Sequence, residues 1–132
     1  MIDFHSHIIP AIDDGARELK EALEMLEEAS SAGFDGVIST SHYMENYYEV
    51  SQADRKAWLN GLQYGVEEKK LGLSLYLGSE IYFTDKIISL IKEAKASTIN
   101  GSRYVLFEFP MNAKPINIED FVYSILSANY IP

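Results

Sequence analysis

The chain has 132 residues, which fits one domain, and its apolar share of 47% is enough to build a hydrophobic core. Twenty acidic against eleven basic side chains give a formal charge of -9, which disfavours nucleic acid and anionic membranes as partners. The absence of cysteine excludes disulfides, thiolate metal sites and cysteine nucleophiles. There is no apolar run long enough for a membrane span and no leader-like start, so the expected location is the cytoplasm.

The predicted elements alternate between strands and helices along the chain. The strands begin at Ile2 and then span 36–40, 73–77 and 103–109, and the helices span 17–31, 51–69, 85–95 and 118–127. A further strand begins at 130. In the second helix, Trp58, Leu59, Leu62 and Val66 recur at helical spacing and are expected to face inward. Four successive strand–helix pairs predict a parallel α/β architecture.

Histidines and carboxylates lie where the predicted strands end. His5 and His7 alternate along the first strand, so both imidazoles can reach one metal ion, although two surface histidines would give the same pattern. His42 follows the second strand, Glu80 ends the third and Glu108 ends the fourth. Functional sites of parallel α/β folds form at this edge, and all three histidines of the chain fall there. A metal site is therefore favoured over isolated ion pairs.

Two further acids, Asp13 and Asp14, lie in the turn after the first strand. Imidazole and carboxylate ligands together suit Mn²⁺, Fe²⁺ or Zn²⁺, and their number predicts more than one ion. Clustered ions activate a water for displacement at phosphorus, so phosphate-ester hydrolysis is favoured over amide hydrolysis. Arg17 could hold an anion, although a solvated arginine at the start of a helix is the commoner role.

Four motifs in this order resemble those of the PHP (polymerase and histidinol phosphatase) superfamily. They are HSHIIPAIDDG at 5–15, TSHY at 40–43, GSEI at 78–81 and YVLFEFP at 104–110. Within the superfamily, the whole chain resembles the metal-dependent protein tyrosine phosphatases that Gram-positive bacteria encode with capsule and exopolysaccharide genes. The resemblance implies a distorted (β/α)7 TIM-like barrel, up to three ions that are usually Mn²⁺, and a phosphotyrosine substrate in the tail of a bacterial tyrosine kinase.

The resemblance also implies six metal ligands. These are His5 and His7 for one ion, Glu80 between that ion and a second, Glu108 for the second, and Asp14 and His42 for the third. Asp14 and His42 are also the expected catalytic residues. Asp14 is preferred to Asp13 by its position in the motif, while the residues themselves leave both open.

Length is the main departure from the family pattern. Family members are nearly twice as long and continue into segments that supply further metal ligands and a phosphate-binding arginine. Residues 1–132 are therefore expected to form a single truncated domain, the first half of the barrel. Its open apolar edge is expected to self-associate, and its phosphatase activity is expected to be weak or absent. Two smaller departures are Ala11 for a common glycine and Ser41 for a common proline.

Two alternatives stay open. One is another PHP phosphoesterase, such as a histidinol phosphatase, which would act on a small phosphate. The other is a non-catalytic remnant that binds metal or a partner without turnover. The aromatic stretch at 44–48 could form a surface for phosphotyrosine or a peptide, and a packed loop is equally compatible with its sequence.

Overall fold

The computed structural model describes residues 1–112 and 116–132. The strands are β1 Ile2–Ser6, β2 Gly36–Ser39, β3 His42–Tyr43, β4 Ser74–Leu77, β5 Glu80–Tyr82 and β6 Leu106–Glu108. The helices are α1 Leu19–Ser31, α2 Gln52–Glu68, α3 Ile87–Lys92 and α4 Ile118–Ser127, with a 3₁₀ turn at Ile99–Gly101. No helix in these ranges has both the length and the apolarity that crossing a membrane requires.

The strands form two three-stranded sheets, with the orders β1-β2-β4 and β3-β5-β6. Every strand pair is parallel, because a crossover through a helix or a loop separates each strand from its neighbour in the sheet. The predicted α/β class with parallel strands is confirmed. In the second sheet, His42 lies opposite Glu80, and Tyr82 lies opposite Glu108.

Beyond the second and third predicted strands, the chain is interrupted at 40–41 and at 78–79 and then forms the additional short strands β3 and β5. The backbone ladder still crosses the interruption, since the amide of Glu80 donates to the carbonyl of Thr40 at 3.0 Å. His42 and Glu80 thus follow the ends of β2 and β4, and the structure adds one detail. Both residues begin a second strand, so they lie at the junction of the two sheets.

The core consists of two clusters, one for each sheet. The first includes Leu26 of α1 and Leu62 of α2, and the second includes Ile81 of β5 and Ile125 of α4. Trp58, which was expected to face inward, is 46% exposed, because the buried face of α2 follows Leu59, Leu62 and Val66 instead. Each sheet therefore has its own apolar support, and the junction between them is left for polar side chains.

Helix boundaries follow local backbone conformation. The helix α3 is shorter than the predicted 85–95, and Ala94, just beyond its end, has a positive φ of 55°. The strand predicted at 103–109 is shorter in the structure, where it corresponds to β6. Outside β6, Tyr104 forms an isolated parallel bridge to Ile131. The strand predicted to begin at 130 is thus represented by that one bridge.

Candidate metal centre

The junction of the sheets brings together all the candidate ligands. His5 lies in β1 and His7 one residue beyond it, while His42 begins β3, Glu80 begins β5 and Glu108 ends β6. Asp14 reaches the same place from the turn that follows β1. Six side chains that are dispersed between positions 5 and 108 therefore converge at one place, and that they bind metal stays a prediction.

Glu80 lies at the centre of this site and is buried. Its Oε2 atom is 2.9 Å from Nε2 of His5, 3.1 Å from Nε2 of His7 and 3.5 Å from Nδ1 of His42. The Nε2 atoms of His5 and His7 are 3.3 Å apart. Two imidazole nitrogens and a carboxylate oxygen thus point at one small space, which is the arrangement a divalent ion requires.

The structure gives Asp13 and Asp14 different environments. The Asp13 side chain is fully buried, and it accepts hydrogen bonds from the amide of Gly15 at 3.0 Å and the amide of His42 at 2.8 Å. Its Oδ2 is also 3.2 Å from Nδ1 of His7. The Asp14 side chain is 68% exposed, with Oδ1 at 3.4 Å from both His7 and His42. Asp13 is occupied by donors of the protein, while Asp14 faces the site.

The contact between Asp13 and His7 shifts the pKa of both groups. The hydrogen bond that His7 donates to Asp13 outweighs the opposing effect of burial and raises the pKa of His7. Burial alone would raise the pKa of Asp13, but the hydrogen bonds from His7 and from the amides of Gly15 and His42 outweigh it and hold that pKa below its usual range. Asp13 is therefore a buried carboxylate that orients the ring of His7.

Gly15 allows the acidic turn to fold back onto β1. A Cβ atom at this position would lie 2.2 Å from the carbonyl oxygen of His7, far inside van der Waals contact. The amide of the next residue, Ala16, donates to that same carbonyl at 3.0 Å. The glycine therefore lets the backbone approach closely enough for both aspartates to reach His7.

His42 is held from two sides. Its Nδ1 is 3.1 Å from Oε1 of Glu108 and its Nε2 faces Asp14. The ring of Tyr48 stacks on the imidazole, with centroids 5.5 Å apart and planes 17° apart. Tyr48 is brought there by a tight turn in which its amide donates to the carbonyl of Met44 at 2.8 Å. The roles of Asp13 and Tyr48 were missed in the sequence, although both lie in segments that had been noticed.

The candidate ligands form three overlapping groups, and within each group the ligand atoms lie within 4.8 Å of one another. The groups are His5 with His7 and Glu80, His7 with Asp14 and His42, and His42 with Glu80 and Glu108. Any two groups share one residue. Imidazole nitrogens and carboxylate oxygens in this proportion fit Mn²⁺, Fe²⁺ or Zn²⁺.

The three arginines of the chain, all of them in the described ranges, are engaged elsewhere. Arg17 is exposed and pairs with Glu21, with Nε at 3.1 Å from Oε2. Arg55 is buried and donates to the carbonyl of Gly78, and Arg103 donates to the carbonyl of Asn129. Within the described ranges, these contacts leave no arginine among the candidate ligands.

Curated proteins similar to this chain are tyrosine phosphatases or their relatives from Gram-positive bacteria. CapC of Staphylococcus aureus is 40% identical over 132 residues, which cover the whole chain and 52% of CapC. The tyrosine-protein phosphatase CpsB of Streptococcus pneumoniae is 32% identical, and the chain covers 54% of it. The tyrosine-protein phosphatase YwqE of Bacillus subtilis is 29% identical, with 52% covered. The chain thus spans about half the length of these relatives.

The fold is also that of a solved relative. A structure from a study of YwqE from Bacillus subtilis and CpsB from Streptococcus pneumoniae, described as unique metal-dependent tyrosine phosphatases, matches with a TM-score of 0.94 at 29% identity. The match covers all of this chain and 53% of that one. The family described as capsular polysaccharide synthesis, CpsB/CapC, matches residues 1–132. The fold, the motifs and the match of the family over all 132 residues of this chain agree. The chain belongs to the CpsB/CapC family.

Proposed function

We propose that this chain carries the metal centre of a metal-dependent phosphotyrosine-protein phosphatase of capsule synthesis. The observation that carries the proposal is the convergence of six ligand side chains in three overlapping groups. The tyrosine-protein phosphatases among its relatives support the substrate class. Phosphotyrosine in the tail of a bacterial tyrosine kinase is the substrate we propose.

The position of the proton on the His7 ring indicates which residues would share the first ion with it. A neutral imidazole offers one lone pair, on the nitrogen that carries no proton. Because Asp13 faces Nδ1 of His7 at 3.2 Å, that nitrogen carries the proton and the lone pair is on Nε2. That nitrogen faces His5 and Glu80. We therefore assign His5, His7 and Glu80 to one ion.

The same reasoning distributes the other ligands. With Nδ1 of His7 committed to Asp13, His42 is the imidazole left for Asp14, and its Nε2 is 3.4 Å from Oδ1. Asp14 and His42 then hold a second ion. Glu80 and Glu108 remain for a third, which Glu80 shares with the first group. This assignment coincides with the one that the family resemblance implies.

Bound divalent ions, Mn²⁺ being the one we propose, would supply a Lewis acid and lower the pKa of water for hydrolysis of a phosphate monoester. The residues of the chain hold and orient this centre: Asp13 fixes His7, and Tyr48 fixes the plane of His42. Exposed Tyr47, beside Tyr48 in the same turn, offers an aromatic surface next to the site. Because no arginine reaches the site from the described residues, we expect weak phosphate binding and slow turnover.

We also propose that residues 1–132 form one domain, the first half of a distorted (β/α)7 barrel. The strands that pass from one sheet into the other support a single unit, and so does the match to half of a solved relative. Exposed Phe4 and Tyr104 line an apolar cavity of about 500 Å³ between the edges of the sheets. Self-association through this surface is the proposed way to bury it.

The test is hydrolysis of a phosphotyrosine peptide with added Mn²⁺, together with metal analysis of the His5→Ala and Glu80→Ala variants. We expect slow hydrolysis that a chelator abolishes, and at least one ion lost in each variant. An unchanged metal content in both variants would refute the ligand assignment. Faster hydrolysis of histidinol phosphate than of the peptide would favour the small-phosphate alternative.

A second candidate function is metal binding without turnover. It is favoured by the same lack of an arginine at the site among the described residues, since the candidate ligands could hold ions without an arginine to bind the phosphate. Full metal occupancy without hydrolysis of any phosphate ester would select this function.

A further inference from the structure

Arg55, on α2, is a buried cation behind the metal centre. It is 1% exposed, and burial lowers its pKa to about 10. Burying a guanidinium costs free energy that packing alone does not return, so its hydrogen bonds indicate what the residue is for. The acceptors that it reaches in the described part of the chain are uncharged.

The guanidinium joins two segments of chain. Its Nη1 donates to the carbonyl of Gly78 at 3.2 Å and to the hydroxyl of Ser79, and its Nη2 donates to the carbonyl of Lys95 at 3.0 Å. The Ser79 hydroxyl also accepts from the amide of Ser97 at 2.9 Å. The interruption between β4 and β5 is thereby fixed to the loop that follows α3.

Glu80 directly follows this interruption. On its other side, the amide of Gly78 donates to Ser39 at 2.8 Å and that of Glu80 donates to Thr40 at 3.0 Å. The interruption is thus fixed by β2 on one side and by Arg55 on the other. Because neighbouring residues of a strand point to opposite faces, a small change here would turn the Glu80 side chain away from the histidines.

We propose that Arg55 is a positioning residue of the metal centre, and that it aims Glu80 by holding Gly78 and Ser79. The inference rests on the proposed metal function. A purely structural role, in which Arg55 only attaches α2 to the sheet, predicts lower stability without a specific loss of metal affinity. The two roles differ in how Mn²⁺ binding responds when stability is lowered by the same amount.

The experiment compares Arg55→Met, Ser79→Ala and Leu62→Ala in Mn²⁺ titrations followed by calorimetry, at a temperature where circular dichroism shows each variant folded. Arg55→Met keeps the length of the side chain and removes its donors, and Ser79→Ala removes the shared acceptor. Leu62 is a fully buried apolar residue of the same helix, so Leu62→Ala lowers stability without removing a donor or acceptor and serves as the stability control. We expect Mn²⁺ affinity to fall by roughly 10- to 100-fold in the first two variants and to stay within about twofold in the third.

A rescue experiment separates positioning from general damage. In Arg55→Ala, millimolar methylguanidinium should restore part of the Mn²⁺ affinity, and methylammonium, which lacks the planar fork, should not. Should Arg55→Met not fold, Ser79→Ala carries the test. Parent-like affinity in the folded variants would overturn the inference while the metal centre stands. Failure of the parent protein to bind Mn²⁺ would overturn both.

Discussion

Asp13 shows how one side chain can determine which atoms of its neighbours are available. Its carboxylate faces Nδ1 of His7 and accepts from the amide of His42, so it fixes the ring of one candidate ligand and the backbone of another. Carboxylates that hold a ligating histidine in this way tune affinity without touching the ion. Asp14, one residue later, has the opposite character, exposed and turned toward the site.

This difference gives a prediction for a pair of variants. In Asp13→Asn, Mn²⁺ affinity should fall by roughly 10- to 100-fold while the number of bound ions is unchanged, because no ligand is lost. In Asp14→Asn, one ion should be lost. Isothermal titration calorimetry with metal analysis measures both quantities. Exposed Asp120→Asn, which makes the same change in charge, should match the parent, and an equal effect of all three would contradict the prediction.

Ala11 gives a second prediction at the scale of a residue. Its φ of 59° lies in the left-handed region, where a Cβ atom is strained and glycine is not. Ala11→Gly should raise the free energy of unfolding by about 0.5–1 kcal/mol, measured by urea denaturation. Ala53→Gly, at an exposed position in the first turn of α2, should lower it by a similar amount. A loss of stability in both would contradict the prediction.

The six candidate ligands could be predicted from the sequence because each lies near the end of a recognisable strand or in the turn after it. Asp13 could not be separated from Asp14, because the difference depends on a turn that returns to His7. That return is made through the close approach at Gly15, a tertiary contact. Arg55 was likewise outside the reach of sequence patterns, since its partners are 23 to 40 positions away.

At the scale of elements, α2 combines a buried face with two glycines that differ in surroundings. A Cβ at Gly61 would meet nothing within 4 Å, whereas one at Gly65 would lie 2.8 Å from Cδ2 of Leu23 in α1. Gly65 thus permits the close packing of the two helices. The helix forms despite both glycines because Leu59, Leu62 and Val66 bury their side chains against the first sheet.

The two glycines give a matched prediction. Gly61→Ala should raise the free energy of unfolding by about 0.5–1 kcal/mol, because alanine has the higher helical propensity and the position is open. Gly65→Ala should raise the free energy of unfolding by clearly less, because the Leu23 side chain must move to make room for the new methyl group. Urea denaturation of both variants makes the comparison. A larger gain at Gly65 than at Gly61 would contradict the packing described here.

The breaks at 40–41 and 78–79 mark the limit of prediction for elements. The alternating residues before each break predict a strand and lie in one, whereas the short strands β3 and β5 after the breaks were not predicted. What divides the strands before and after the breaks is the junction between two sheets, where the backbone at 78–79 is held by the guanidinium of Arg55. The sequence around each break contains no sign of such a distant contact, so the strands before the breaks could be predicted and β3 and β5 could not.

At the scale of the whole molecule, metal binding should be linked to stability. Three carboxylates and three imidazoles lie together in a chain of formal charge -9, and ions that bind only the folded state stabilise it. Free Mn²⁺ at 100 times its dissociation constant should add about 2.7 kcal/mol per independent site to the free energy of unfolding.

Thermal denaturation with Mn²⁺ and with a chelator measures this stabilisation. Glu80→Gln should remove most of it, because Glu80 belongs to two of the three groups. Exposed Glu68→Gln, at the end of α2, should keep it. Equal stabilisation of both variants would contradict a centre built around Glu80.

The parallel arrangement of the strands has a consequence for how the protein folds. Each strand pairing joins segments separated by a crossover. Topologies of this kind fold slowly, because the chain loses loop-closure entropy before the stabilising contacts between distant segments form. His5 and Glu80 are 75 positions apart, so the ligands of the first ion meet only when β1, β2, β4 and β5 have assembled. Ions are therefore expected to bind late in folding, and Mn²⁺ should slow unfolding far more than it speeds refolding.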